Sequence, residues 1–318
     1  MDKDGMETYR EAALFRKDTH NNMDETKGEG KGHNKGLIWR TSMIAAQDGK
    51  FRLFFRPAID VFFMNKLIPN MVRCDLKFRQ TSNEFRLMIG EDDQKAILSI
   101  REAKFFPFYV KLDPQLVVQT EELLTKNVAL LPFTKVESFY ESLPSGSASF
   151  SIKDLCRGKI PTSMVIVFSR NSAKLGSFEE NPYWLVHENL QRITVKTDTD
   201  ILYSLDTNFP KDYTSAYYNL YPNNYNQSSS PIAIGLEEFA GGYTVLFLEM
   251  NSNVCITDQS SGVWVKQKVG KVDVNLTFNS PLKQSLCFMA FCFSLDVIQI
   301  DKNRHVSLAS NIFRGLDK

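Results

Sequence analysis

The chain carries no excess of charge of either sign: 38 Lys and Arg stand against 37 Asp and Glu, a formal net charge of +1. That balance makes no global field to gather nucleic acid or anionic membrane, so a charged partner would have to be met locally. Histidine is scarce. His20, His33, His187 and His305 lie in unlike contexts, and none has a ligand partner at helical or hairpin spacing. HExxH, CxxC and GxSxG are all missing, which removes the sequence signatures of zincins, zinc ribbons, thioredoxins and serine hydrolases. No run reaches the roughly 18 apolar residues that span a bilayer. The opening MDKDGMETYREAAL lacks the charged-then-apolar design of a secretory signal. Five cysteines (Cys74, Cys156, Cys255, Cys287, Cys292) are odd in number, widely spaced and mostly set in apolar runs such as CFMAFCF. They read as reduced thiols acting as small hydrophobes, in a reducing compartment. On that reading the sequons at Asn226 and Asn275 stay unmodified.

What the chain does have is phenylalanine, 24 of them in an aromatic share of 12%. Large rigid rings are what sheet cores and subunit contacts consume. Hydrophobic and charged shares of 43% and 24% are those of a folded globular chain, and 318 residues suffice for two domains.

Residues 1–49 are polar, with glycine, amide and alternating charge in THNNMDETKGEGKGHNKG, and predict a largely disordered arm or insertion loop. GEGKGHNKG lacks the Gly-Lys-Ser/Thr ending of a phosphate loop and has no strand before it, so Lys31 and Lys35 are assigned no phosphate. From Lys50 onward the texture changes to short aromatic and β-branched runs: FRLFFRPAIDVFFMN, MVRCDLKFRQ, EFRLMI, KAILSIREAKFFPFYVKL and TKVESFYESL. These predict strands. Val72, Cys74, Leu76 and Phe78 alternate with Arg73, Asp75, Lys77 and Arg79, the period of a half-buried strand, and KVDVNLTF alternates likewise. PQLVVQTEELLTKN predicts a helix, with Asp113 as cap and Pro114 in the first turn.

The second half continues in strands joined by PSGS, NPY, NYNQSSSP and NSP turns, the pattern of a sandwich rather than of alternating β and α units. Arg and Phe interleave in FRLFFRP and KFRQTSNEFRL, but period two puts Phe inward and Arg outward, so nucleic-acid binding there is weak or absent. The pairs Glu179/Glu180 and Glu237/Glu238 sit in loops and read as solvated surface. No catalytic, cofactor-binding or metal set emerges.

The order of segments carries a resemblance. Ile59, Asp60, Phe62, Leu67, Pro69, Val72, Leu76, Phe85, Leu87 and Met88 resemble a segment of the major capsid proteins of Polinton (Maverick) elements and adintovirus-like viruses. The strongest stretch is CRGKIPTSMVIVFSRNSAKLGSFEENPYWLVHENL, through Gly158, Pro161, Val165 to Phe168, Ala173, Gly176, Asn181, Pro182, Tyr183, Trp184 and His187. GLEEFAGGYTVLFLEM is similar too, with Glu249 and Met250 in place of the family's Asp-Leu, and VIQIDKNRHV matches its final strand and Asp-x-x-Arg turn.

The resemblance covers residues 50 to 306 and implies an all-β fold of two jelly-roll β-sandwiches side by side with a short linking helix. The first roll is expected to be incomplete, since such proteins are usually longer and its opening strands have no counterpart here. The domains would be 1–49 the polar arm, 50–127 the remainder of the first roll plus the helix, and 128–318 the second roll. The implied role is a structural capsid subunit and not an enzyme, self-assembling as a homotrimeric capsomer into an icosahedral shell of a transposable element or virion. Partners would be itself and a penton-type minor capsid protein, with an intracellular stage before assembly. A host-adopted or degraded copy serving as a β-sandwich module for carbohydrate or protein is the alternative. Tyr217, Tyr218, Tyr221 and Tyr225 in SAYYNLYPNNYNQSSSP are the expected inter-subunit contact.

Overall fold

From residue 129 onward the chain forms strands. The computed structural model describes residues 10–26, 33–64, 66–89, 96–221, 234–250 and 269–308. The strands are β1 (Ala129–Leu143), β2 (Ser149–Lys159), β3 (Ser163–Arg170), β4 (Leu190–Lys196), β5 (Ile201–Asp206), β6 (Leu246–Glu249), β7 (Val269–Phe278), β8 (Leu286–Ile300) and β9 (Val306–Leu308). One sheet runs β1-β8-β3-β6 with β9 added on β8, and the other runs β2-β7-β4-β5. The ladders β2·β7, β3·β6, β3·β8, β4·β5 and β4·β7 are all antiparallel.

This order has a simple origin. The pairs β1·β8, β2·β7, β3·β6 and β4·β5 are those of one long hairpin whose turn falls between β4 and β5. Wound into two layers, alternate pairs of that hairpin fall in opposite sheets, which is the winding of a jelly roll. The fold is therefore mostly β, two antiparallel sheets with a few short helices, in agreement with the fold class expected from the sequence.

The sheets meet through their alternating faces. Met164, Ile166 and Phe168 of β3, Leu246 and Leu248 of β6, and Leu286, Phe288, Ala290 and Cys292 of β8 share one core with Ile152 and Cys156 of β2. Val272, Val274, Leu276 and Phe278 of β7, and Ile193 and Val195 of β4, complete it. Phe168 sets its ring edge-on to Phe278 and tilted against Phe288, the geometry that aromatic quadrupoles favour. Strand β3 is buried on both faces, because Val167 packs on the outer side with Cys287 and Met289.

Strand β2 breaks register between Ile152 and Cys156, opposite Val274 and Val272. Asp154 takes a φ of 55° there, and its N–H donates to Asp273 Oδ1 at 2.9 Å. The extra residues let Leu155 and Cys156 both be buried, as strict alternation would not.

The chain divides into two compact units. Unit 1 holds Met1–Arg56, Thr81–Ala96 and Val136–Phe293; unit 2 holds Pro57–Gln80, Ile97–Lys135 and Ser294–Lys318. Residues 10–26 and 33–49, expected from the sequence to be arm, include buried positions: Met23 is buried, as is Asn34, the cap of helix α1 (Lys35–Ala45). Charged residues of this segment are ion-paired, Asp18 with Arg40 and Asp24 with Arg170.

In unit 2, helix α3 (Pro114–Lys126) forms as its sequence requires; α2 (Asn83–Arg86), in unit 1, is the one-turn helix before it. Asp113 Oδ1 accepts the N–H of Gln115 at 2.9 Å and Pro114 occupies the first turn. Asp60, in a 3-10 turn over Asp60–Phe62, accepts the N–H of Thr134 at 2.7 Å. Arg304 donates to the carbonyl of Asn70 at 2.8 Å and pairs with Glu121. The strands expected within 51–65, 71–80 and 95–112 do not form: among the described residues between 50 and 127 none belongs to a strand, and 83–86 is helical. Alternation selects a face for a strand but supplies no partner for its backbone, and a strand exists only as part of a ladder.

Candidate interaction surface

Two features of the surface bear on function, one apolar and one polar. The apolar one belongs to unit 2. Phe108 is 89% exposed, Tyr109 83%, Ile97 80% and Phe106 75%, all in the segment whose sequence predicts a strand. Helix α3 adds Leu116, Val118 and Leu123, all exposed, and buries Leu124. Large apolar side chains are thus exposed along one segment and on the helix that follows it.

The polar feature holds residues 10–26 and 33–49 to the roll in unit 1. Arg170, at the end of β3, pairs with Asp24 and lies 3.3 Å from Glu180, with its guanidinium 4.9 Å from the centre of the Trp184 ring. Asp24 Oδ1 accepts the N–H of Asn181 at 2.7 Å, and Asn181 Nδ2 donates to Asp18 Oδ2 at 2.8 Å. Asp18 also pairs with Arg40 at 2.6 Å, while Lys17 reaches Glu238 at 2.7 Å. Tyr243 donates its hydroxyl to the carbonyl of Asp18 at 3.0 Å, and burial raises its pKa well above 10. The sequence reading missed this network. Its signal was Asn181-Pro182-Tyr183-Trp184, where an amide and an indole flank a rigid turn. Glu180 and Glu238, read as solvated surface, are ion-paired members of it.

The tyrosines separate. Tyr217 and Tyr221 pack on the core of unit 1, set edge to face at 5.5 Å, and both donate hydroxyls to the carbonyl of Ile234 at 3.0 Å. Burial, then the neighbouring Tyr217, pushes the Tyr221 pKa up to about 12. Both belong to helix α4 (Thr214–Tyr218) or the turn after it, and Tyr217 leans on Phe239 of α5 (Leu236–Ala240) at 5.6 Å. Tyr218 is 65% exposed. Tyr225 lies outside the described residues, as do Asn226, Lys31 and Cys255.

Among the described residues no group of three or more His, Cys, Asp or Glu is placed to hold a metal ion. None of the helices described is long and apolar enough to cross a membrane. His187 stacks on Phe209 at 4.4 Å and accepts the N–H of Asn189 through Nδ1 at 3.0 Å, which makes it part of the packing.

No family model matches the sequence, and neither does any curated protein. Solved structures do align with it. The mavirus major capsid protein matches at a TM-score of 0.34 and 11% identity, over 59% of this chain and 43% of that one. A chain of the Sputnik virophage cryo-EM structure matches at 0.36 and 13%, over 57% and 39%. The Faustovirus major capsid protein matches at 0.30 and 11%, over 58% and 36%. The chain thus spans about two fifths of the length of these structures.

Proposed function

We propose that this chain is a structural capsid subunit of the double jelly-roll kind, acting by self-association and not by turnover. The observation that carries the reading is the exposed apolar run of unit 2, Phe106, Phe108 and Tyr109 with the outer side of α3, on a chain whose jelly roll is otherwise packed. Burial of such a surface is the driving force of permanent assemblies. The winding of β1 to β8 and the order of segments from Ile59 to His305 support it as well.

In this reading residues 50–127 are the remainder of a first roll plus its linking helix, and 128–318 are the second. The subunit is of the Polinton/Maverick type, forms a homotrimeric capsomer and tiles an icosahedral virion shell after an intracellular stage. A penton-type minor capsid protein is a further partner, and nucleic acid is contacted weakly if at all. The inter-subunit contact is assigned to the cluster Tyr217, Tyr218, Tyr221 and Tyr225, of which Tyr218 is exposed. The rival reading, a carbohydrate-binding sandwich, would need a flat aromatic platform. Trp184 is taken by Arg170, and Tyr217 by Phe239.

Sedimentation velocity on the expressed chain, with electron microscopy of the same sample, tests the assignment. Trimers or shell-like particles are expected. A monodisperse monomer that binds a glycan array would overturn it.

A further inference from the structure

Cys156 on β2 and Cys292 on β8 come from opposite sheets of the roll, 136 residues apart in sequence, and their sulfurs lie 2.8 Å from one another. Both are buried in the main core, 2% and 3% exposed, and both are thiols in this structure. The separation is within about 1 Å of a disulfide bond length. The irregularity in β2 and the alternation of β8 bring them together. The break between Ile152 and Cys156 sets Cys156 inward, while the odd spacing from Cys287 to Cys292 puts these two on opposite faces of β8. Cys287 faces the outer cluster with Val167 and Met289, and Cys74 is exposed in unit 2. Two thiols therefore meet across the sandwich while the other described ones point elsewhere.

We propose that Cys156 and Cys292 are an oxidative cross-linking site, joining the two sheets by a disulfide when the chain meets a low-molecular-weight disulfide such as oxidised glutathione. One thiolate attacks the glutathione disulfide and expels a glutathione thiolate; the second protein thiolate attacks the mixed disulfide and expels the other. The two cysteines lose two electrons and two protons, which end on two molecules of glutathione thiol. Inside a reducing compartment the pair stays open as two small core hydrophobes. In an oxidising medium it becomes a covalent tie between β2 and β8.

Burial slows the reaction without forbidding it. Hydrogen bonding to Cys156 and loss of solvent raise the Cys292 pKa, so its reactive thiolate is rare in the closed roll. The rate should follow opening of the sandwich, and mild denaturant should accelerate it.

The test uses the full chain, incubated with oxidised glutathione in mild urea, quenched with an alkylating agent and mapped by mass spectrometry. Two fewer alkylatable thiols are expected, together with one linked peptide pair carrying Cys156 and Cys292. The unfolding rate should fall about tenfold or more and recover on adding dithiothreitol. Cys287→Ala should behave as the unaltered chain does, and Cys292→Ala should lose both the link and the slowing. The inference is overturned if Cys156 and Cys292 stay alkylatable, end capped by glutathione, or link to another cysteine such as Cys255. Because the mapping is done on the unaltered chain, failure of a variant to fold leaves the result decisive.

Discussion

Gly242 lies directly under Met23: a Cβ added to the glycine would stand 2.6 Å from Met23 Sδ and 3.0 Å from Trp184 Cδ1. Its φ of +138° is one that side-chain-bearing residues rarely adopt. Gly242→Ala should therefore destabilise unit 1 by about 2–4 kcal/mol through strain and overpacking together. Urea unfolding measures it, and adding Met23→Ala should recover only the part due to the clash. Equal stability of Gly242→Ala and the unaltered chain would mean that Met23 does not sit there.

Arg170 holds Asp24 in a partly buried pair that also involves Glu180 and the Trp184 ring. Removing one member leaves the others poorly solvated. Arg170→Ala should cost about 2–4 kcal/mol, more than Asp24→Asn, which keeps an acceptor for the Asn181 N–H. Arg192→Ala, which breaks a solvent-screened surface pair with Asp206, should have the smallest effect of the three. Denaturant midpoints for the three variants give the ranking directly.

His187 makes stability fall on acidification. Burial holds its pKa below the ordinary 6.5, so the unfolded chain takes up a proton at a pH where the folded chain does not. The contribution is complete above 6.5 and is lost as pH drops towards the lowered value. Stability measured from about pH 7 down to about pH 5 should decline, and His187→Asn should flatten part of that decline. An unchanged slope would assign the acid sensitivity elsewhere.

Exposed aromatics should govern association and not folding. Phe106→Ser with Phe108→Ser should leave the circular dichroism spectrum and the thermal midpoint of unit 1 intact, since neither side chain belongs to its core. The sedimentation profile should shift towards monomer. Association unchanged by both substitutions would remove unit 2 from the contact.

The sequence disclosed the roll better than it disclosed the surroundings of the roll. KVDVNLTF became β7 with the alternation it advertises, and Asp113-Pro114 opened a helix, because a period-two pattern and a cap are local instructions. MVRCDLKFRQ advertises equally clean alternation and made no strand, because pairing is supplied by another segment. The segment around Asp18 and Asp24 misled for the opposite reason: its charges are matched by Arg40 and Arg170, and composition cannot say whether a charge faces water or a distant arginine. Tyr217 and Tyr218 are adjacent and identical, yet one is held by Phe239 and the other is exposed, a distinction set by the helix face. The pairing of Cys156 with Cys292 was hidden as well, since it depends on which sheets β2 and β8 join.

The hairpin-like winding also dictates when the chain can fold. Ser149 pairs with Thr277 and Ser163 with Phe293, so β2 and β3 leave the ribosome long before most of their ladder partners exist. Until β7 and β8 are synthesised, Phe168, Ile166 and Met164 lack both the strand that pairs with β3 and the strand that joins β2 to β4 in the facing sheet. A nascent chain of this topology should fold late and slowly, and would depend on chaperones that mask apolar strands during translation.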